Sequence, residues 1–373
     1  MSGPPPPIPA KNEGPTMSST TQLAATLIGN SASSLAGFVA SELCTPGEDG
    51  GRDFDAWKAH AHQRFLQLRA ALLLEEPRLL ADEVRWSHSA FDLRGLEKED
   101  LARSLEVMRE VIEEKLPAPI GGVASDYLLQ ATRHLAESTP SVQRLAPADR
   151  LAWRYVELVL GGDRQAAISS IVDAFEAGTD PIDLYENVLV PAQREIGELW
   201  HSGEIGIAQE HFCTSTTQRS MVVLAHRAQS ALRERAISDE PTGRQRTVIA
   251  AATSGNAHDM ALRVLTDLFE LRGWRSILLG SDVPARDLVV GIEVFDTDLL
   301  LLSGTLAVHL PGIRDTIQLL RDSLPDRDLK VLVGGRAFGG AEDLWRKVGA
   351  DGCTASAREA LELAERLCPR AEA

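Results

Sequence analysis

Beyond residue 246 the chain follows a rhythm that few folds can accommodate. The runs TVIAAAT, SILLG, TDLLLLS and LKVLVGG follow one another, separated by helical stretches such as ALRVLTDLFELRG. Strands that are apolar at nearly every position are buried on both faces, and helices between them make each connection a crossover. The pattern predicts a parallel sheet covered on both sides. Such sheets take ligands at the carboxyl ends of their strands. His258 follows the first run, Ser303 to Thr305 end the leucine run, and Gly334-Gly335 close LKVLVGG. All of them fall at that edge.

The preceding chain is helical in period. Residues 54–137 repeat apolar positions at three and four and predict a helical N-terminal domain. Residues 147–235 break at Gly161-Gly162, Gly178 and Gly203-Glu204 into four segments with short connections, which predicts an antiparallel four-helix bundle. AISDEPTGRQR (236–246) reads as a linker, and 246–373 as the parallel-sheet domain. Residues 1–53, opening with PPPPIP and then rich in Ser and Thr, read as a disordered or poorly ordered tail. The expected class is therefore α plus α/β.

Composition excludes some partners. The net charge of -16, from 38 basic and 54 acidic residues, leaves only short basic clusters such as Arg233, Arg235, Arg244 and Arg246. Nucleic-acid binding needs a concentrated basic face, so direct binding is not expected. No continuous apolar run reaches bilayer-spanning length, and the start has no signal-peptide pattern, so no membrane partner is expected either. Cys44, Cys213, Cys353 and Cys368 form no CxxC pair, which argues against structural zinc and disulfides and for a reducing cytoplasm.

The candidate site residues admit two readings each. His258 is either a loop histidine bonded to backbone or a metal ligand, with Asn256 or Asp259 fixing its ring. Ser303 and Thr305 either cap a turn or bond a buried nitrogen-bearing ligand. Gly334-Gly335 permits a tight turn, or lets a ring system approach the backbone. Neither GxGxxG nor GxxxxGK[ST] occurs, which argues against a phosphate loop. In ELWHSGEIGIAQEH, the residues Trp200, His201, Glu210 and His211 are either an ordinary helix face or a lid. No Ser-His-Asp or Cys-His order stands out, so the chain is not read as an enzyme.

Together these motifs resemble a known family. Residues 147–370 look like the cobalamin-binding module, a four-helix cap followed by a flavodoxin-like domain. More narrowly they resemble the light-sensing CarH type, whose W-x9-EH motif is matched by Trp200, Glu210 and His211. The family's [D/E]-x-H-x-x-G reads here Asn256-Ala257-His258-Asp259-Met260-Ala261, so an amide replaces the acid and Ala261 replaces the glycine. Ser303-Gly304-Thr305, Gly334-Gly335 and Ala350-Asp351-Gly352 match its remaining elements.

The resemblance implies adenosylcobalamin as cofactor, with His258 as the lower cobalt ligand. It implies that Trp200, Glu210 and His211 cover the adenosyl group, and that His201 is a candidate upper ligand after light. Asn256, Asp259, Ser303, Thr305, Gly334 and Gly335 would contact the cofactor. Output would pass through an unidentified protein effector or a change of homo-oligomer, dimer or tetramer. The absence of a basic winged helix draws the comparison towards cobalamin photoreceptors that also hold a bilin. Trp57, His60, His62, Trp86, His88 and Phe91 are the side chains on offer to biliverdin, or else stitch together a docking domain. Two other readings stay open: a corrinoid carrier for methyl transfer, and a haem or redox sensor on the same scaffold.

Overall fold

A computed structural model describes residues 19–44, 54–93, 98–137, 150–235, 244–339, 341 and 343–369. The N-terminal domain consists of α1 (Ser19–Leu43), α2 (Phe54–Leu73), α3 (Pro77–Leu93), α4 (Lys98–Lys115) and α5 (Ala118–Glu137). The sequence reading of 1–53 as a tail needs correction, because α1 lies within it; 1–18 and 45–53 lie outside the described residues. Small and branched residues at helical spacing (Ala25, Ile28, Ala32, Leu35, Val39) are buried, and α1 packs on α2, α4 and α5. The Ser, Thr and Asn residues that interrupt its apolar runs hide it from a search for continuous hydrophobicity. Averaged over Thr20–Leu43, the helix is long and apolar enough to cross a membrane by length and composition. Here its apolar stripe is covered by protein.

The cap consists of α6 (Arg150–Leu160), α7 (Arg164–Glu176), a continuous helical run of α8 (Pro181–Leu184), a π-turn (Tyr185–Leu189) and α9 (Val190–His201), and finally α10 (Ile207–Arg235). Asp163 and Asp180 cap α7 and α8, accepting from the amides of Ala166 and Ile182. Pro181 at the first helical position needs no amide partner there.

The C-terminal domain alternates β1 (Thr247–Thr253), α11 (Met260–Leu271), β2 (Arg275–Val283), α12 (Ala285–Val294), β3 (Leu299–Ser303), α13 (Leu310–Ser323), β4 (Lys330–Gly334), α14 (Leu344–Lys347), β5 (Gly352–Thr354) and α15 (Ala357–Leu367). All strands are parallel, in the order β2-β1-β3-β4-β5. The order reverses direction between β1 and β3, which opens the ligand crevice of such sheets beyond those two strands. The edge strand β5 is too short to carry a pattern of its own and is absent from the sequence reading.

Side-chain alternation in the sheet divides the protein into two cores. Ile249, Ala251, Leu300, Leu302, Val331 and Val333 join α12, α13 and the N-terminal helices in one cluster. Val248, Ala250, Ala252, Leu299, Leu301 and Leu332 join α11, α15 and the cap in the other. The two helical domains are thus tied to opposite faces of one sheet.

Tyr185, at the π-turn, anchors the cap to α11. Its hydroxyl donates to the Asp267 carboxylate at 2.6 Å. Burial, aided by Glu270 and opposed by the Tyr185 hydrogen bond and Arg263, pushes the Asp267 carboxyl from 3.8 up to about 6. Folding therefore favours its protonated form. The stability from this group is full below about pH 4 and is lost as pH rises through about 6. Asp267→Asn should flatten the stability profile over that window. It should also stabilise the protein at pH 7 by about 1–2 kcal/mol in urea denaturation; an unchanged pH profile would contradict the assignment.

Candidate cofactor site

The floor of the site is built on the loop between β1 and α11. Asn256, fully buried, directs its side-chain amide to the Ser303 carbonyl at 2.8 Å. Its Oδ1 therefore faces the other way, accepts from the His258 backbone N–H at 3.0 Å, and lies 3.1 Å from His258 Nδ1. The Asn256 carbonyl accepts from the Asp282 N–H at 3.1 Å. One residue thus ties together the ends of β1, β2 and β3.

This network settles the chemistry of His258. Because the amide N–H₂ is committed to a carbonyl, only the oxygen can face the ring, so Nδ1 carries the proton. Nε2 is left with its lone pair, the tautomer that binds metals. Packing around the ring and then the Arg336 charge lower its pKa, against the opposing pull of Asp259 and Glu210. The imidazole is therefore neutral at pH 7. Asp259, the alternative orienting residue, is instead paired with Arg263 at 2.8 Å.

A second histidine, not singled out in the sequence, stands beside the first. His309 is buried, its ring centroid 6.1 Å from that of His258, and its Nδ1 accepts from the Leu306 N–H at 3.2 Å. Burial, His258 and Arg336 push its pKa down to about 4.

The glycines shape the same edge. Gly335 sits at φ +104, and a Cβ there would lie 2.5 Å from the Gly304 carbonyl oxygen. A Cβ on Gly304 would meet Phe338, Leu310 and Ile313 at 2.9 to 3.2 Å. Backbone approach requires glycine at 335, and packed side chains favour it at 304. Nearby, the Thr253 hydroxyl at the end of β1 is buried with no hydrogen-bond partner and lies towards Gly312 of α13. Ser303 is buried and Thr305 half-buried. Asp351 serves the fold, accepting from the Val331 N–H at 2.6 Å and from Arg321 at 2.7 Å.

The lid comes from α9 and α10. Trp200 is 41% exposed, unusual for an indole of this size. Glu210 is held in a chain that the sequence did not reveal. Gln193 donates to Thr214 at 2.6 Å, Thr214 donates to Glu210 at 2.6 Å, and His211 Nδ1 lies 2.5 Å from the other carboxylate oxygen. Glu210 is half-buried, and its charge opposes the lowering of the His258 pKa.

His201 turns elsewhere. It is buried, stacked on Trp86 of α3 with ring centroids 3.7 Å apart and planes at 12°, and its Nε2 lies 3.2 Å from the Trp86 carbonyl. Arg336, just after Gly335, also lies over the Trp86 ring, at 4.4 Å. Arg336 pairs with Glu83 at 3.1 Å. Glu83 accepts as well from the Ala307 N–H at 3.1 Å and from Gln67 at 3.2 Å. Trp57 and His60 meet edge to face at 5.6 Å, whereas Trp86 is engaged by His201 and Arg336. The Phe91 side chain lies outside the described residues.

Residues 151–225 and residues 246–365 each match a family described as B12 binding domain. Residues 151–365 form a cobalamin-binding module. The neutral, oriented His258 and the glycine-lined edge suit such a group. Within this cobalamin-binding family the chain is similar to the HTH-type transcriptional repressor CarH of Myxococcus xanthus, 32% identical over 173 residues, 46% of this chain and 54% of that protein. The chain thus spans about half the length of that relative. It is also similar to dimethylamine corrinoid protein 1 of Methanosarcina acetivorans, 23% identical over 205 residues, 55% of this chain and 91% of that one. The monomethylamine corrinoid protein of Methanosarcina barkeri shares the fold, with a TM-score of 0.50 and 18% identity over 58% of this chain and 98% of that one.

Asn256→Ala would leave the Ser303 carbonyl and His258 Nδ1 without their partner. It should lower unfolding free energy by about 1–3 kcal/mol in denaturant titration. A loss below about 0.5 kcal/mol, the level of ordinary surface substitutions, would contradict the clamp.

Proposed function

We propose that this protein is an adenosylcobalamin-binding light sensor that is not itself an enzyme. The observation that carries the reading is the lid. Exposed Trp200 stands near the end of α9, and the hydrogen-bonded Glu210–His211 pair near the start of α10. The similarity to the CarH repressor supports the same reading. The cofactor would supply a cobalt–carbon bond that light cleaves.

The protein's own residues do the rest. His258 offers Nε2 as the lower ligand, and Asn256 holds its proton on Nδ1 so that the ring stays neutral and aimed. Asn256 in place of an acid makes a gentler partner, because a neutral oxygen draws less on the Nδ1 proton than a carboxylate does. Gly334, Gly335, Ser303 and Thr305 line the edge where the cofactor would lie, and Asp259 holds the start of α11 through Arg263. Trp200 would shield the bound group from water, and Glu210 and His211 would offer it polar contacts. His201 is the candidate ligand for the upper face once it is vacated. The signal would pass to a protein effector or alter self-association as a dimer or tetramer, in the cytoplasm, with no direct contact to nucleic acid or membrane. Biliverdin, the second chromophore considered, gains no support from the placement of Trp86.

A second reading, a corrinoid carrier for methyl transfer, is favoured by one observation: the similarity extends over 91% of a dimethylamine corrinoid protein. The two are separated by absorption spectroscopy. Purified protein given adenosylcobalamin in darkness should retain it and lose the cobalt–carbon spectrum under green light, and His258→Ala should abolish histidine ligation. Retention of methylcobalamin in preference to adenosylcobalamin, or a bound spectrum indifferent to light, would favour the carrier.

A further inference from the structure

The N-terminal domain touches the cobalamin module along α2, α3 and the turn between them, where Arg314 donates to the Leu73 carbonyl and Lys347 pairs with Glu76. Glu83, 3% exposed, holds the turn after β3 through the Ala307 N–H and the turn after β4 through Arg336. Gln67, itself bonded by Arg64 at 2.6 Å, holds the same carboxylate from α2. One helical turn further along α3, Trp86 lies against both Arg336 and His201. A single helix of the N-terminal domain therefore contacts the cap, the glycine edge and the turn that carries His309.

His201 is held by this arrangement at two points. Its Nε2 is engaged with the Trp86 carbonyl, and its ring face with the Trp86 indole. The same imidazole cannot hold that position and also reach into the crevice between lid and floor. We infer that Trp86 is a positioning residue that parks His201 against the N-terminal domain, so that departure of His201 towards a vacant cobalt face loosens α3 from the cobalamin module. The inference rests on the reading above that His201 is the upper ligand. The exchange conserves protons: Nε2 gives up its hydrogen bond to the carbonyl, the ring proton moves through water to Nδ1, and the neutral ring presents the Nε2 lone pair. The N-terminal domain is then the output of the sensor, because its grip on the β3 and β4 turns varies with the place of His201. An aromatic stack and a hydrogen bond of this kind suit a two-state contact, strong enough to bias α3 and weak enough to be exchanged.

Hydrogen-exchange mass spectrometry of α3 in the full chain tests this. Without cofactor, His201→Ala should speed exchange in α3 by about three- to tenfold, the worth of the lost stack and hydrogen bond. His201→Phe keeps a ring on Trp86 and should stay near the wild-type rate. Hydroxocobalamin, whose upper face is exchangeable, should speed α3 exchange in the wild type towards the His201→Ala rate and leave His201→Phe unchanged. Adenosylcobalamin in darkness should not. Equal α3 exchange in wild type and His201→Ala would overturn the parking contact. If hydroxocobalamin binds by absorption yet α3 in the wild type does not respond, the coupling is overturned while the cofactor reading stands. If no corrinoid binds, the cofactor reading and the coupling both fall, and the cofactor-free comparison still decides whether Trp86 holds His201.

Discussion

The buried side-chain amide of Asn256 is the point at which the sheet edge becomes a site. Its two ends differ chemically, and each has one acceptable partner: the N–H₂ takes the Ser303 carbonyl, and the oxygen takes the His258 amide and ring. Without that polarity the ends of β1 and β3 would not be locked, and His258 would have no fixed tautomer. A buried amide with a missing partner costs more than the bond itself contributes, so the clamp is all or nothing. The fixed tautomer and aim of the His258 ring follow from this edge.

Strand alternation carries that edge to the rest of the molecule. Odd positions of β1 face one core and even positions the other, so the N-terminal helices and the cap are each committed to a different side of the same sheet. The two helical domains meet beyond the strand ends, where Trp86 of α3 stacks on His201 of α9. That geometry explains why charged and aromatic groups concentrate there. Glu83, Arg336, Trp86 and His201 occupy the one region where both domains and the loops of the sheet converge.

How far this was legible in the sequence depended on the range of the interaction. The parallel sheet was readable because strands buried on both faces have few ways to be written, and the cap because glycine breaks separate its helices. His258, Ser303 and Gly335 were readable as strand-end residues. The α1 helix was not, because scattered hydroxyl residues conceal a stripe that only helical spacing reveals. The Glu83–Arg336 pair spans 253 positions, and nothing local to either residue announces the other. His201 was identifiable as a candidate ligand beside Trp200, but its resting place on Trp86 depends on a domain packed from the far side of the sheet. His309 carried a weak local signal, a histidine immediately before a helix opening Leu-Pro-Gly, and went unnoticed.

We propose that His258 would supply the nitrogen that ligates the cobalt. Paramagnetic resonance of the cobalt(II) form bound to protein made with heavy-nitrogen histidine tests it most directly. The account predicts that the label changes the nitrogen splitting of the spectrum and that His258→Ala removes this change. A splitting that is indifferent to the histidine label would mean that the cofactor's own base, or no base, occupies the position, and would contradict the account.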